Sequence, residues 1–203
     1  MQVESLIVLV EEPSMEAALE LILPNILREG VRFEIRQFQC KDELLKRLPE
    51  RLKGYAKWLP ESARILVIVD RDSDNCIALK RRLEAISAAA HLGTKSCPLN
   101  GRVHLINRIA IEELEAWFFG DWEAVRQAYG RIDPNTAAKA PYQSPDAITG
   151  GTWEAMEREM KRRGYFNSGL PKIEFARSVA RHMIPSRNRS PSFCLLRDTL
   201  QAL

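Results

Sequence analysis

The sequence predicts an α/β fold with a mostly parallel sheet of about four strands, flanked by helices and followed by a helical C-terminal extension. The apolar run 65–69 is continuous rather than alternating, which is typical of a strand covered on both faces in a parallel sheet. Strand-like and helix-like patterns alternate along the chain as far as residue 111. From Trp117 onward the pattern becomes helical and irregular, which predicts the extension.

The first part of the chain supplies the predicted sheet. Strands are expected at 3–10, 31–38, 65–69 and 103–111, and helices at 14–29, 41–58 and 75–91. Ser14 is expected as the N-cap of the first helix, Pro49 as a bend or break in the second, and Ile77 on the apolar side of the third. Residues 31–38 alternate between apolar and polar side chains, so this strand is expected near an edge of the sheet.

The second part of the chain has no strand pattern. Helices are expected at 121–129, 152–163, 171–183 and 192–203, with an irregular stretch at 131–151. We therefore expect an α/β domain at 1–120 and a helical extension at 121–203 that packs on it.

Composition limits the possible classes of function. Thirty basic and 27 acidic residues give a formal net charge of +3, so any electrostatic case for nucleic-acid binding has to be local. No apolar run approaches the length of a membrane span and no secretory signal is recognised, so no membrane association is expected. The four cysteines form no Cys-x-x-Cys pair and are expected to be reduced thiols in a cytoplasmic protein.

Acidic residues follow three of the four predicted strands. They are Glu11 and Glu12 after the first strand, Asp70, Asp72 and Asp74 after the third, and Glu112, Glu113 and Glu115 after the fourth. Carboxyl ends of parallel strands share one edge of a sheet, and carboxylates held close together repel one another unless a cation lies among them. Oxygen ligands suit Mg²⁺ or Mn²⁺. The alternative is a solvated turn in which Asp74 caps the next helix.

Two of these acidic segments resemble the motifs of the Toprim domain, which occurs in topoisomerases, bacterial primases, OLD-type nucleases and recombination proteins. The segments are 9–14 (Leu-Val-Glu-Glu-Pro-Ser) and 70–74 (Asp-Arg-Asp-Ser-Asp). Most Toprim sequences have Gly or Ser where this chain has Glu12. Over nearly its full length the chain more closely resembles the bacterial Toprim-like group known as domain of unknown function 4276. The further shared segments are 113–117 (Glu-Leu-Glu-Ala-Trp), 172–176 (Lys-Ile-Glu-Phe-Ala) and 190–193 (Ser-Pro-Ser-Phe).

The resemblance implies a Toprim-like (Rossmann-like) fold and a nuclease or related phosphotransfer enzyme that uses Mg²⁺ or Mn²⁺ on a phosphodiester bond. It implies Asp70 and Asp72 as metal ligands, Glu11 as a ligand or general base, and Asp74 as an additional metal ligand. It also implies a nucleic-acid partner and a partner ATPase in a bacterial defence or repair system.

Several other residues are candidates for auxiliary roles. Lys172 is either a lysine that stabilises the transition state or an ordinary solvated lysine, and Arg71 is either a phosphate contact or a structural ion pair. Glu12 is a further auxiliary acid. A helix that begins at Glu112 would place Glu112 and Glu115 on one face and let one of Glu113 and Glu115 reach the site.

Two further features have competing interpretations. Trp117 lies among apolar residues and is expected in the core rather than as a base-stacking platform. The arginines of the C-terminal part form either a phosphate-facing patch or a solvated surface; they are Arg177, Arg181, Arg187 and Arg189.

Three functions remain open from the sequence. The first is the metal-dependent nuclease. The second is a non-catalytic adaptor that binds a partner ATPase or nucleic acid, and the third is a hydrolase of small phosphoesters. Repelling carboxylates concentrated at a sheet edge favour the first over the second, because a scaffold has no need of them.

Overall fold

The computed structural model describes residues 2–203. Within them, the strands are β1 (Ser5–Val10), β2 (Arg32–Gln37), β3 (Ala63–Asp70) and β4 (Leu105–Ala110). The helices of the same residues are α1 (Pro13–Ile22), α2 (Lys41–Ala56), α3 (Cys76–Ala89), α4 (Glu115–Gly120), α5 (Trp122–Ala128), α6 (Thr152–Arg162), α7 (Lys172–Ala180) and α8 (Pro191–Gln201). Short 3₁₀ turns interrupt the irregular stretch, at Thr136–Ala138, Ala140–Tyr142 and Pro145–Ala147.

The sheet is parallel throughout, in the order β2-β1-β3-β4. The expected α/β fold with its helical C-terminal part is therefore confirmed. β1 and β3 lie in the centre and are buried on both faces, which explains their continuous apolar sequences. β2 is an edge strand with alternating exposure, as its alternating sequence predicts.

Two hydrophobic cores lie on opposite faces of the sheet. Strand side chains alternate between faces, so Val8 and Leu66 enter one core while Leu9 and Val67 enter the other. The second core is closed by α2 and α3. The first is larger and contains residues of α1 and of the C-terminal helices. Because the four strands are parallel, every connection from a strand to a helix leaves the sheet at the carboxyl ends of the strands, where the acidic residues lie.

The C-terminal helices complete the larger core. α7 packs along α1, and α8 packs against β4. Trp117 is buried, donates its indole N–H to Ser192 Oγ at 3.1 Å and packs edge-on against Phe193, so its expected place in the core is confirmed. The fully buried Asp121 carboxylate pairs with Arg187 through Oδ1 and Nε at 2.5 Å. The division into domains at residue 120 stays a prediction.

Four local expectations differ from the structure. Ser14 is not the N-cap of the first helix, because the helix begins at Pro13 and Ser14 lies inside its first turn. The helix ends at Ile22, where a 3₁₀ turn follows directly. α2 continues through Pro49 without a break. The predicted apolar side of α3 is only partly covered: Leu79 and Leu83 are buried in the core, whereas Ile77 is 64% exposed. The backbone at Glu112 is left-handed, with φ of 62°, so α4 begins three residues later.

Candidate metal centre

The carboxylates after β1 and β3 meet because these strands are neighbours in the sheet. Val10 is in register with Ile68, so Glu11 lies beside the end of β3. One carboxylate oxygen from each of Glu11, Asp70 and Asp72 lies within 4.8 Å of the others. The structure thus brings together the three residues that the Toprim resemblance assigns to the metal, and their oxygens could hold an ion.

Glu11 and Asp70 form the buried part of this centre. They are 6% and 3% exposed, and the Asp70 backbone N–H donates to Glu11 Oε2 at 3.1 Å. Burial raises the pKa of Glu11 to about 7, and repulsion from Asp72 adds to this effect while the Asp70 N–H opposes it. Burial and the neighbouring Glu11 carboxylate raise the pKa of Asp70 well above its ordinary range.

The donor set fits a hard divalent cation. Asp70 Oδ1 is buried and has no hydrogen-bond partner among the described residues. A buried carboxylate oxygen without a partner is costly, and a coordinated cation removes that cost. The ligand atoms are all oxygens, which is the preference of Mg²⁺ and Mn²⁺.

Lys41 is a residue of the centre that the sequence analysis missed. Its ammonium lies 2.5 Å from Asp72 Oδ2 and 2.9 Å from Asp74 Oδ2, and it donates to the backbone carbonyls of Asp70 and Arg71 at 3.1 and 3.2 Å. Burial acts to lower the pKa of Lys41, but the hydrogen-bonded carboxylates of Asp72 and Asp74 outweigh it, so that pKa is raised. Its position in the sequence could have indicated this, because Lys41 begins α2 just after β2 and so lies at the same end of the sheet as the acidic residues.

Asp72 and Asp74 belong to one tight turn after β3. Asp72 has a left-handed backbone with φ of 49°, a conformation that Asp tolerates better than most residues. The Asp74 N–H donates to the Arg71 carbonyl at 3.0 Å. Asp74 is engaged by Lys41 and lies outside the three-carboxylate cluster, and the N-cap of α3 is Asn75.

The acidic segment after β4 divides between three environments. Glu112 pairs with Arg71, so the guanidinium of Arg71 is held in an ion pair within the structure. Glu113 lines the cleft above the metal centre and accepts hydrogen bonds from Thr152 Oγ1 at 2.9 Å and from the Trp153 backbone N–H at 2.8 Å. Glu115 is 2% exposed, and burial raises its pKa to about 8.

Lys172 and Glu12 complete the cleft. Lys172 Nζ lies 3.9 Å from Glu12 Oε2 and 4.7 Å from the centre of the Trp153 ring. Burial acts to lower the pKa of Lys172, but the carboxylates of Glu12 and Glu115 outweigh it, so that pKa is raised. The cleft has a volume of about 320 Å³ and is lined by Glu11, Glu12, Gln39, Cys40, Lys41, Asp42, Asp70, Asp72, Glu113 and Lys172.

This parallel fold, with an acidic centre at the carboxyl ends of β1 and β3, defines a Toprim-like α/β protein. The family described as Domain of unknown function (DUF4276) matches residues 10–201, and the chain belongs to that family. Among solved structures, the fold is similar to the C-terminal region of the Burkholderia pseudomallei OLD protein, with a TM-score of 0.50 at 14% sequence identity. That similarity covers 100% of this chain and 98% of the other. No curated protein matches the chain in sequence at a significant level.

Within residues 2–203, no helix has both the length and the apolar character that crossing a bilayer requires.

Proposed function

We propose that this protein is a Mg²⁺-dependent phosphodiesterase that cleaves nucleic acid. The observation that carries the proposal is the buried Asp70 carboxylate, which has one unpartnered oxygen and lies within 4.8 Å of oxygens of Glu11 and Asp72. The Toprim resemblance and the fold shared with the OLD protein region support the same chemistry.

Each residue of the cleft has a role in this proposal. Asp70, Asp72 and Glu11 would hold the ion, for which Mn²⁺ can substitute. When bound, the ion would supply positive charge that polarises the phosphate and stabilises charge on its oxygens. Lys172, which faces the cleft, offsets the negative charge of the scissile phosphate. Glu12 lies at the same rim and accepts a proton from the attacking water.

The carboxylate cluster favours catalysis over the adaptor function. Holding Glu11 and Asp70 together in a buried place costs stability, since burial and repulsion from neighbouring carboxylates both disfavour their charged forms. Such costs are characteristic of functional sites. A partner ATPase and a role in bacterial defence or repair are further predictions that rest on the resemblance, and a cytoplasmic location is a prediction that rests on the cysteine pattern.

The test combines metal binding with cleavage. Metal-stripped protein is titrated with Mg²⁺ and with Mn²⁺ by calorimetry, and is then incubated with single-stranded and double-stranded DNA and RNA. Asp70→Asn and Asp72→Asn are compared with Asp198→Asn, which makes the same change at an exposed carboxylate of α8 that pairs with its neighbour Arg197. We expect binding and cleavage in the native protein and in the control, and neither in the two site variants.

Two results would contradict the proposal in different ways. No metal binding at millimolar concentration would remove the catalytic interpretation and leave the adaptor. Metal binding with hydrolysis of small phosphoesters but not of polynucleotides would replace the nuclease with a small-phosphoester hydrolase.

A further inference from the structure

α2 and the turn that follows it form one of the basic segments of this chain. Residues 41–58 contain six Lys and Arg and three Asp and Glu, a net charge of +3. α2 buries its leucines against the sheet, including Leu44, Leu48 and Leu52, and its basic side chains after Lys41 face solvent. The local electrostatic feature that nucleic-acid binding requires is therefore present on the outer face of α2.

The outer face of α2 forms a groove rather than a flat surface. The groove has a volume of about 620 Å³ and is lined by Lys46, Arg47, Glu50, Arg51, Gly54, Tyr55 and Trp58. Arg47, Arg51 and Gly54 are spaced four and three residues apart, so they form one stripe along the helix, and Trp58 lies in the turn just after the helix ends at Ala56. Cationic side chains and an aromatic side chain thus line the same groove.

The side chain of Trp58 in this groove is 60% exposed. It is the one aromatic residue among the large hydrophobic side chains exposed in residues 2–203. Its ring rests edge-on against Tyr55, with 5.4 Å between the ring centres, so the side chain is supported from one side and open on the other. An exposed, supported aromatic ring beside cations is the arrangement on which single-stranded bases stack.

Gly54 leaves open space between the cations and the aromatic ring. It lies inside α2, where glycine costs about 1 kcal/mol of stability relative to alanine. Its backbone is not left-handed, and an added Cβ would meet nothing within 4 Å. Neither backbone strain nor packing therefore requires glycine here, and its effect is to flatten the groove floor next to Trp58.

We infer that the outer groove of α2 binds single-stranded nucleic acid, with phosphates on Arg47 and Arg51 and a base against Trp58, an inference that rests on the proposed nuclease function. The metal centre is acidic and repels phosphates, so a polynucleotide needs cations outside it. α2 supplies them, since it begins at Lys41 in the centre and carries the exposed cations Lys46, Arg47 and Arg51 about 8–15 Å further along, at about 1.5 Å per residue. The base contact favours a single strand, because bases in a duplex are already stacked.

The test measures binding by the anisotropy of a fluorescent 12-nucleotide single strand, using the metal-free full chain. Arg47→Gln/Arg51→Gln should weaken binding at least fivefold and lower the slope of log affinity against log salt by about 1.4, two phosphate contacts at about 0.7 each. Trp58→Ala should weaken binding by about 5-fold to 100-fold. Gly54→Leu should weaken binding at least fivefold without lowering the melting temperature, because leucine favours the helix and fills the groove.

The matched control is Arg177→Gln/Arg181→Gln, which neutralises two exposed arginines at the same spacing, one in α7 and one at its C-cap. We expect it to bind like the native protein. The inference is overturned if the control is weakened as much as the groove variants, which would assign the strand to the C-terminal arginines, or if the groove variants bind normally. The inference is also overturned if the groove variants weaken the binding of a polyglutamate peptide as much as the binding of the oligonucleotide, because charge alone would then explain binding.

A second assay separates this inference from the proposed function. Bis(p-nitrophenyl) phosphate is too short to reach the groove, so the groove variants should hydrolyse it at the native rate in Mg²⁺ or Mn²⁺. Unchanged oligonucleotide binding in the groove variants, with cleavage lost in Asp70→Asn, would overturn the groove and keep the nuclease. Groove-dependent binding by a native protein that hydrolyses no phosphodiester would overturn the nuclease and leave the groove as a nucleic-acid-binding surface.

Discussion

The backbone N–H of Asp70 donates a hydrogen bond to Glu11 Oε2 at 3.1 Å, which ties the end of β3 to the residue that follows β1. The bond holds two buried carboxyl groups at one place, although burial raises the pKa of both and the Glu11 carboxylate adds to the rise at Asp70. Asp70 Oδ1 faces this concentration of charge without a hydrogen-bond partner among the described residues. The metal-free protein therefore retains a repulsion that a divalent cation relieves.

This relationship predicts opposite effects of Asp70→Asn in the absence and presence of metal. Without metal, the amide removes a buried acid and should raise the free energy of unfolding by about 1 kcal/mol or more at pH 8. With Mg²⁺ at a hundred times its dissociation constant, the native protein should gain about 2.7 kcal/mol and the variant nothing. Thermal unfolding in EDTA and in Mg²⁺ measures both effects, with Asp198→Asn as the control. An equal Mg²⁺ gain in Asp70→Asn would place the ion elsewhere.

Glu115 predicts a pH dependence of stability. Its folded pKa of about 8 lies above its ordinary value of 4.5, chiefly through burial. Its contribution to stability is therefore fully present below pH 4.5 and is lost as the pH rises through 8. Glu115→Gln lacks this titration, so between pH 5 and 9 the metal-free native protein should lose stability relative to the variant. The ceiling is about 5 kcal/mol, at about 1.4 kcal/mol per pKa unit.

Urea unfolding at pH 5, 7 and 9 in EDTA measures the effect of Glu115. Glu11 titrates in both proteins, so the difference between them isolates Glu115. The control is Glu154→Gln, which changes an exposed glutamate of α6 and should run parallel to the native profile. Parallel profiles for Glu115→Gln as well would mean that Glu115 is ionised in the folded protein at neutral pH.

Hydrophobic patterning could predict the sheet because a strand buried on both faces has a continuous apolar sequence, whereas a half-exposed strand has an alternating one. The continuous run 65–69 became the central part of β3, and the alternating run 31–38 became the edge strand β2. The acidic residues could be placed at one edge because parallel strands all point the same way. This geometry predicted that the acidic residues after β1, β3 and β4 meet, and the Toprim resemblance singled out Glu11, Asp70 and Asp72 among them.

The details of the centre depend on backbone conformations that residue types do not determine. A left-handed backbone at Glu112 delays the start of α4 and turns Glu112 toward Arg71. The partners of Lys41 depend on the left-handed turn at Asp72, and they include two backbone carbonyls that no side-chain pattern reports. Ile77 fits the helical period but faces solvent, because the period does not say where the covered face of a helix ends.

Trp117 and Trp58 predict contrasting mutational effects. Trp117 is buried and its indole N–H bonds Ser192, so Trp117→Ala should cost about 3–5 kcal/mol and Trp117→Phe about 1 kcal/mol. Trp117→Phe should bind oligonucleotide like the native protein. Trp58→Ala should change the free energy of unfolding by about 1 kcal/mol or less, because the side chain is mostly exposed, yet weaken binding. Urea unfolding and anisotropy on the same samples compare them, and a binding defect in a folded Trp117→Phe would give Trp117 a role at the nucleic-acid surface.

Lys41 predicts a local rather than a global effect. Its ammonium joins the carboxylates of Asp72 and Asp74 to two backbone carbonyls, so it holds the turn that carries Asp72. Lys41→Met keeps the length of the side chain but removes its charge and its hydrogen bonds. Residues 71–75 should then exchange their amide hydrogens at least tenfold faster, while β3 keeps its protection, because its ladder to β1 and β4 is untouched.

Hydrogen exchange read by mass spectrometry measures the effect of Lys41 peptide by peptide. Lys46→Met is the control, since it makes the same change one turn further along α2 at an exposed lysine of the outer groove. It should leave the exchange of 71–75 at the native rate. Faster exchange across the whole of β3 in Lys41→Met would show that Lys41 supports the sheet itself. Unchanged exchange in the turn would show that Asp72 is positioned by its backbone conformation alone.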